Sequence, residues 1–195
     1  MPHILKVVDN HSFREDFLTG GPVLDAGSRG LRLSKWFVAR GHSPVIALDA
    51  GEDEHADGVI FHRKALVHSK LAGANVTLVK NDDPEARHIE PAWGDVYGIS
   101  IPILMHDYKI IQWDLIKLNI EGSEYDILDE IDGAISKQIV FSYHEHTSRA
   151  RGREECDRII DKLAKWYHVC NRVWEKRYGC RENYWDILLV ERGLP

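Results

Sequence analysis

The sequence predicts an α/β fold, a mostly parallel seven-stranded sheet with helices on both faces and an antiparallel hairpin at the C-terminal end. Three observations predict it. Short apolar runs alternate with stretches of helical periodicity. Two of those runs lead through a glycine-containing turn into a helical pattern, at Asp25 to Gly30 and at Glu121-Gly122. The last two strand-like runs lack an intervening helix and so must pair antiparallel, because a parallel crossover needs a dozen or more connecting residues.

In chain order, Pro22 to Ala26 reads as a strand, followed by a turn and a helix carrying Leu31, Leu33, Trp36, Phe37 and Val38 that ends at Gly41. Val45 to Leu48 is the second strand and stops at Asp49, completing a β-α-β unit. Strand-like runs follow at Val59 to Val67, which continues the sheet, and at Val76 to Val79, divided by Gly73-Ala74-Asn75. Asn81 to Gly94 is polar, carries Pro84 and Pro91, and is predicted to be a surface loop. Leu115 to Ile120 is a strand and Tyr125, Leu128 and Ile131 mark a helix. Ile139 to Tyr143 is again a strand, and Glu154 to Tyr167 is helical, with Cys156, Ile159, Ile160 and Leu163 on one face. Asn171 to Lys176 and Tyr184 to Val190 form the closing hairpin. Trp36 and Trp166 lie at apolar helical positions and are expected in the core.

A chain of 195 residues with 44% hydrophobic residues is expected to form one domain, spanning 1–195, with a substantial core. Thirty-one acids against 25 Lys and Arg give a formal charge of −6, which argues against nucleic-acid and anionic-membrane partners and favours a small-molecule one. Three cysteines without C-x-x-C spacing suit reduced thiols in a cytosolic protein. No apolar run approaches the ~20 residues that span a bilayer, so the expected location is cytoplasmic. No feature predicts an oligomeric state.

The chemistry concentrates where the first strand ends. In open α/β sheets ligands bind beyond the carboxyl ends of the strands, where strand order reverses. Gly27 and Gly30 permit positive φ and close backbone approach, and the amides of the turn that also holds Ser28 and Arg29 can meet an anionic group. Asp49, at the next strand tip, suits the two hydroxyls of a ribose. A nicotinamide dinucleotide site asks for G-x-G-x-x-G, whereas here Asp25 stands in the place of the first glycine. An acid there suits a cofactor with an amino group, which points to S-adenosylmethionine.

Across the cleft, Leu115-Ile116-Lys117-Leu118-Asn119-Ile120-Glu121-Gly122-Ser123-Glu124-Tyr125-Asp126-Ile127-Leu128 resembles the K-x-D-x-E-G-x-E-x-x-x-L signature of FkbM-type methyltransferases. The resemblance runs from about Val23 to His146 and takes in Val45 to Asp49 and the step Lys64-Ala65-Leu66. It implies a Rossmann-like class I methyltransferase fold and methylation of a hydroxyl on a carbohydrate or related small metabolite. It implies S-adenosylmethionine held by Asp25, Gly27, Ser28, Arg29, Gly30, Asp49, Ala50 and Ala65. The chain departs from the family pattern in three places. The last glycine of the turn, Gly30, comes one position early, and Asn119 replaces the strand-four Asp, so no metal is expected. Val59 follows Asp49 by only ten positions, too soon for the ordinary helix between strands two and three.

Methyl transfer to a hydroxyl needs aligned approach and gains from a general base. His144, at the end of strand five, is the candidate base, because an unperturbed imidazole changes charge near neutral pH; Glu121, at the end of strand four, is placed to hold a substrate hydroxyl. One of Glu121 and Glu124, with Glu124 the better candidate, is equally well read as an acid at a helix start. His144 and His146 share a strand face, but two imidazoles do not define a metal site. Arg149, Arg151 and Arg153 read as a solvated loop, or as a grip for an acidic group. Two other functions stand beside transfer: a Rossmann-like binding module without turnover, and a nicotinamide oxidoreductase.

Overall fold

The computed structural model describes residues 5–51, 53–80, 87–90, 94–144, 152–176 and 183–194. The chain opens with an antiparallel hairpin, β1 (Leu5–Val8) and β2 (His11–Arg14). Its two-residue turn, Asp9-Asn10, has φ of 50° and 67°, the left-handed conformation that these side chains tolerate. Then come β3 (Val23–Ala26), α1 (Arg32–Val38), β4 (Val45–Leu48) and β5 (Val59–His62). An inserted stretch contains β6 (Ala65–Leu66), β7 (Asn75–Lys80), β8 (Arg87–Glu90), β9 (Val96–Ile99) and α2 (Ile101–Asp107). The chain continues through β10 (Leu115–Leu118), α3 (Glu124–Glu130), β11 (Gln138–His144), α4 (Gly152–Leu163), β12 (Tyr167–Lys176) and β13 (Asn183–Glu191).

Seven strands form the main sheet in the order β12-β13-β11-β10-β3-β4-β5, and within it β13 alone runs against the rest. This is the mostly parallel, Rossmann-like sheet with an antiparallel hairpin that the sequence predicts. Neighbouring strand residues such as Val23-Leu24 and Val45-Ile46 are both apolar because alternate residues feed two different cores. Leu24, Ile46, Ile116, Ile139 and Leu189 pack with Leu104 of α2, Tyr125 and Leu128 of α3 and Ile159 of α4. Val23, Val45, Leu115, Val140 and Leu188 pack with Leu33 and Phe37 of α1 and with Phe13 and Phe17. Trp36 packs against the second of these clusters and Trp166 against the first.

The first hairpin is docked by polar groups as well as by Phe13, whose ring meets Trp36 and Phe37 at 5.2 and 5.3 Å. His11 Nδ1 lies 3.0 Å from Asp186 Oδ1 on β13, and the Ser12 N–H donates to Asp186 Oδ2 at 2.9 Å. Arg14 and Gln138 exchange two hydrogen bonds, N–H to Oε1 at 2.7 Å and Nε2 to the carbonyl at 2.9 Å. All five residues are buried. Buried polar atoms paired in this way cost little, whereas stranding one costs the desolvation of the other.

Three sequence expectations change. Residues 87–90 lie within the predicted surface loop yet form β8, paired antiparallel with residues 77–80 of β7. Only residues 81–86 and 91–93 of that loop fall outside the described residues. The run Val59 to Val67 is not one strand: it breaks at Arg63-Lys64, where the Lys64 N–H turns back to the His62 carbonyl at 2.8 Å. β5 stays in the main sheet while β6 joins a second sheet of order β6-β9-β7-β8. The last helix stops at Leu163, and β12 begins at Tyr167 rather than Asn171, its first side chain buried in the core. Among the described residues no helix is long and apolar enough to cross a membrane.

At the opposite end of the sheet from the strand tips, Asp114 holds the segment leading into β3. Its buried carboxylate accepts from the Thr19 and Gly21 N–H groups at 2.7 and 2.8 Å and from Lys137 Nζ at 2.7 Å. Burial alone would raise its pKa, but these donors outweigh it and hold the carboxyl below its ordinary value. Asp114 thus contributes stability above the unfolded-state pKa of about 3.9, and the contribution disappears as pH falls through the lower folded-state value. Asp114→Asn is expected to cost about 2 kcal/mol at pH 7, with the gap to wild type closing in acid below about pH 4. Urea melts across that range test this; an unchanged gap at pH 3 would contradict it.

Candidate functional site

The strands flanking β3 are β4 on one side and β10 on the other, so the chain leaves β3 in one direction and later returns on the opposite side. In open α/β sheets a reversal of this kind marks the ligand crevice, which here would lie beyond the tips of β3 and β10. The two tips touch there. Gly27, at φ +74°, lies so close to β10 that a Cβ on it would fall 1.9 Å from the Asn119 carbonyl oxygen. The Asn119 N–H in turn donates to the Ala26 carbonyl at 3.1 Å.

The turn after β3 has its own hydrogen-bond order. The Gly27 and Ser28 N–H groups donate to the Leu48 carbonyl, at 2.8 and 3.2 Å, and the Leu31 N–H donates to the Ser28 carbonyl at 2.7 Å. Gly30 and Leu31 both have positive φ, 77° and 53°, which swings the chain into α1. The Gly30 N–H donates to Glu54 Oε1 at 2.7 Å. The Ser28 side chain is 4% exposed, and its hydroxyl oxygen has no partner among the described residues. Arg29 is exposed. Around Gly30 nothing lies within 4 Å of the place a Cβ would take.

Asp25 does not face this turn openly. It is 1% exposed, its Oδ2 accepts from the Ser34 hydroxyl of α1 at 2.6 Å, and its Oδ1 lies 3.0 Å from Lys117 Nζ. The ammonium directs its hydrogens to the Ala26 and Gly27 carbonyls, at 3.1 and 2.7 Å, so its contact with Oδ1 is an ion pair rather than an aligned hydrogen bond. The ammonium that Asp25 meets is therefore the chain's own. A lysine inside the apolar strand Leu115-Ile116-Lys117-Leu118 was the signal in the sequence, because a buried ammonium requires a buried carboxylate.

Asp49 stands just past β4, half-buried, with Oδ1 accepting the Gly51 N–H at 2.8 Å. Among the described residues nothing hydrogen-bonds its Oδ2. Ala50 and Ala65 belong to a third apolar cluster, with Val67, Val76 and Val96, that joins this side of the crevice to the second sheet. Among the described residues no helix separates β4 from β5, as the spacing predicts. His62, closing β5, sits 2.7 Å by Nε2 from the Tyr108 hydroxyl, and burial together with the Lys64 charge lowers its pKa.

Across the crevice the two glutamates separate cleanly. Glu124 is fully buried, and its carboxylate accepts from the Ile120 and Gly122 N–H groups, both at 2.6 Å, which fixes the turn that follows β10. It is the acid at the helix start that the sequence suggests, reaching back to the turn. Glu121 occupies the tip of that turn at φ +56° and is half-buried. His144 ends β11, but its side chain lies outside the described residues, as do Glu145, His146, Arg149 and Arg151. Arg153 is an exposed residue of α4, 3.7 Å from Asp157. No signal in the sequence distinguishes Glu54, because an acid in an acidic, turn-rich stretch looks like any solvated one.

No family model matches the chain, and no curated protein matches it in sequence. Solved structures do resemble it in shape. A hemolysin candidate from Lactococcus lactis superposes with a TM-score of 0.52 at 13% identity, over 90% of this chain and 82% of that one. The 1,6-didemethyltoxoflavin-N1-methyltransferase of Burkholderia thailandensis, solved with 1,6-didemethyltoxoflavin and S-adenosylhomocysteine, gives 0.47 at 16% identity, over 87% and 70% of the two chains. A variant of the 16S rRNA (adenine(1408)-N(1))-methyltransferase from Catenulisporales acidiphilia gives 0.43 at 13%, over 87% and 84%. The first of these carries the likeness, and it is a likeness of fold.

Proposed function

We propose that this chain is an S-adenosylmethionine-dependent methyltransferase that methylates a hydroxyl of a carbohydrate or related small metabolite. One observation carries the reading: a glycine turn pressed against β10 at the reversal of strand order, with Asp49 at the adjacent strand tip. The residues present fit such a cofactor. Ser28 offers a buried hydroxyl without a partner among the described residues, Gly30 leaves open space, and Asp49 has a carboxylate oxygen turned to no described residue. In this reading Asp49 accepts from the ribose hydroxyls, Gly27, Ser28, Arg29 and Gly30 line the amino-acid end, and Ala50 and Ala65 flank the base with small side chains. Asp25 acts on the turn, through Lys117 and Ser34, rather than on the ligand.

The cofactor supplies a methyl group on a sulfonium. The chain supplies position and proton transfer: Glu121 holds the acceptor hydroxyl at the tip of β10, and His144 at the end of β11 takes its proton. The hydroxyl acceptor rests on the resemblance of residues 115–128 to the FkbM-type signature.

S-adenosylhomocysteine is expected to raise the melting temperature, since a ligand at about a hundred times its Kd stabilises by roughly 2.7 kcal/mol. Asp49→Ala is expected to weaken that ligand about tenfold, the equivalent of ~1.4 kcal/mol. Thermal melts measure the first and calorimetric titration the second. A folded wild-type protein unaffected by millimolar ligand sinks the proposal. A binding module without turnover is the second reading, favoured by Asn119 in place of the strand-four Asp and by the lack of a helix between β4 and β5 among the described residues. Ligand binding without labelled-methyl transfer to any hydroxylated acceptor would select it.

A further inference from the structure

The outward donor of the glycine turn is already in use, and the residue using it belongs to the segment that replaces the missing helix between β4 and β5. Of the turn's amides, those of Gly27, Ser28 and Leu31 are committed to carbonyls of the chain, and that of Gly30 to the Glu54 carboxylate. Residues 53–58 therefore reach from β5 back to the turn. The segment is tied at each end. On the β4 side, the Gly51 N–H donates to Asp49 Oδ1 at 2.8 Å, and the Gly51 carbonyl accepts from Arg63 Nε at 2.8 Å. On the β5 side, Gly58 lies against α1 so closely that a Cβ would fall 2.7 Å from Val38 Cγ1. Between these ties, the Glu54 bond is the hydrogen bond that joins residues 53–58 to the glycine turn among the described residues.

We propose that Glu54 is a latch, an internal carboxylate that occupies the glycine turn and must leave it before a ligand bearing its own carboxylate can enter. The inference rests on the cofactor reading above. Two independent observations favour a latch over a fixed structural bond. The Ser28 hydroxyl, buried within the same turn, has no partner among the described residues, so the turn keeps a polar group for a ligand to satisfy even though its outward amide is filled. Glu54 itself is anchored at the surface, in contrast to Asp25 and Glu124, whose carboxylates are sealed inside. A charge-assisted bond of that kind forms and breaks without opening the core. Affinity for the ligand is then reduced by the fraction of molecules in which the latch is shut.

Removing the carboxylate should improve binding, whereas deleting an ordinary site residue weakens it. Calorimetric titration of S-adenosylhomocysteine into wild type, Glu54→Gln and Glu54→Ala, each checked for folding by its melting curve, tests this. The expected result is about tenfold tighter binding for the alanine variant, the equivalent of ~1.4 kcal/mol, with glutamine between, because an amide oxygen accepts more weakly than a carboxylate. The Gly30 amide should exchange its proton faster in ligand-free Glu54→Ala than in wild type. Equal or weaker binding by the alanine variant, with wild type binding normally, overturns the latch and leaves the cofactor reading intact. Binding by neither protein overturns both.

Discussion

Replacing Lys117 by Met is expected to destabilise the protein by about 3–5 kcal/mol, the usual penalty for breaking a buried ion pair from one side. The size reflects the contacts that the ammonium holds. Lys117 is 4% exposed in its side chain and touches three oxygens at once: Asp25 Oδ1 and the carbonyls of Ala26 and Gly27. Without it, a carboxylate that is 1% exposed keeps only the Ser34 hydroxyl, and the carbonyl of Gly27 loses a donor at 2.7 Å. The pair also joins β10 to the turn after β3, so the same substitution should weaken S-adenosylhomocysteine together with stability. Adding Asp25→Asn to Lys117→Met removes the stranded charge and should recover more than half of the loss. Denaturant melts of the two single variants and the double variant measure the coupling. A Lys117→Met protein within about 1 kcal/mol of wild type would show that this buried pair falls far short of the usual penalty.

The second large effect is expected at Gly27. Its φ of +74° costs any other residue about 1–2 kcal/mol, and a methyl group would meet the Asn119 carbonyl oxygen at 1.9 Å. Neither partner is a side chain that can swing away; the clash is backbone on backbone. Gly27→Ala must therefore part the tips of β3 and β10, taking the Asn119 bond to the Ala26 carbonyl and the Lys117 contacts with it. A loss of at least about 3 kcal/mol is expected when this overpacking is added to the strain. Gly30→Ala is the matched control: its φ is nearly the same, +77°, but no atom lies within 4 Å of the added carbon. It should cost only the strain, about 1–2 kcal/mol. Comparable losses at the two positions would mean that contact with Asn119 is unimportant.

The sheet and its crevice were legible because their signals are local. Runs such as Val45 to Leu48 are apolar on both sides, end on an acid and are too short for helices, so strand and direction emerge from a few residues. Gly27, Asp49 and the turn after β10 were found in the same way. The first hairpin escaped notice although Asp9-Asn10 is a turn signal, because four-residue strands carry little periodicity. β8 escaped because Arg-His-Ile-Glu is polar enough to read as loop, and its strand character comes from pairing with β7. Partnerships across the chain were the hardest to see. Nothing in the spacing tells that Lys117 belongs to Asp25, that Glu54 belongs to Gly30, or that His11 belongs to Asp186; each is settled only when the sheet brings distant segments together.

That last pair also bears on the time course of folding. β13, which carries Asp186, is inserted between β11 and β12 and is the strand made last. Until it emerges, β11 has an uncovered edge, Asp186 is absent from its place beside His11, and the hairpin formed by residues 5–14 has its aromatic contacts and the Arg14–Gln138 hydrogen bonds to settle on. A nascent chain therefore completes this sheet only once β13 has been made, and the open edge of β11 in the meantime is a surface on which chaperones and unwanted strand partners compete.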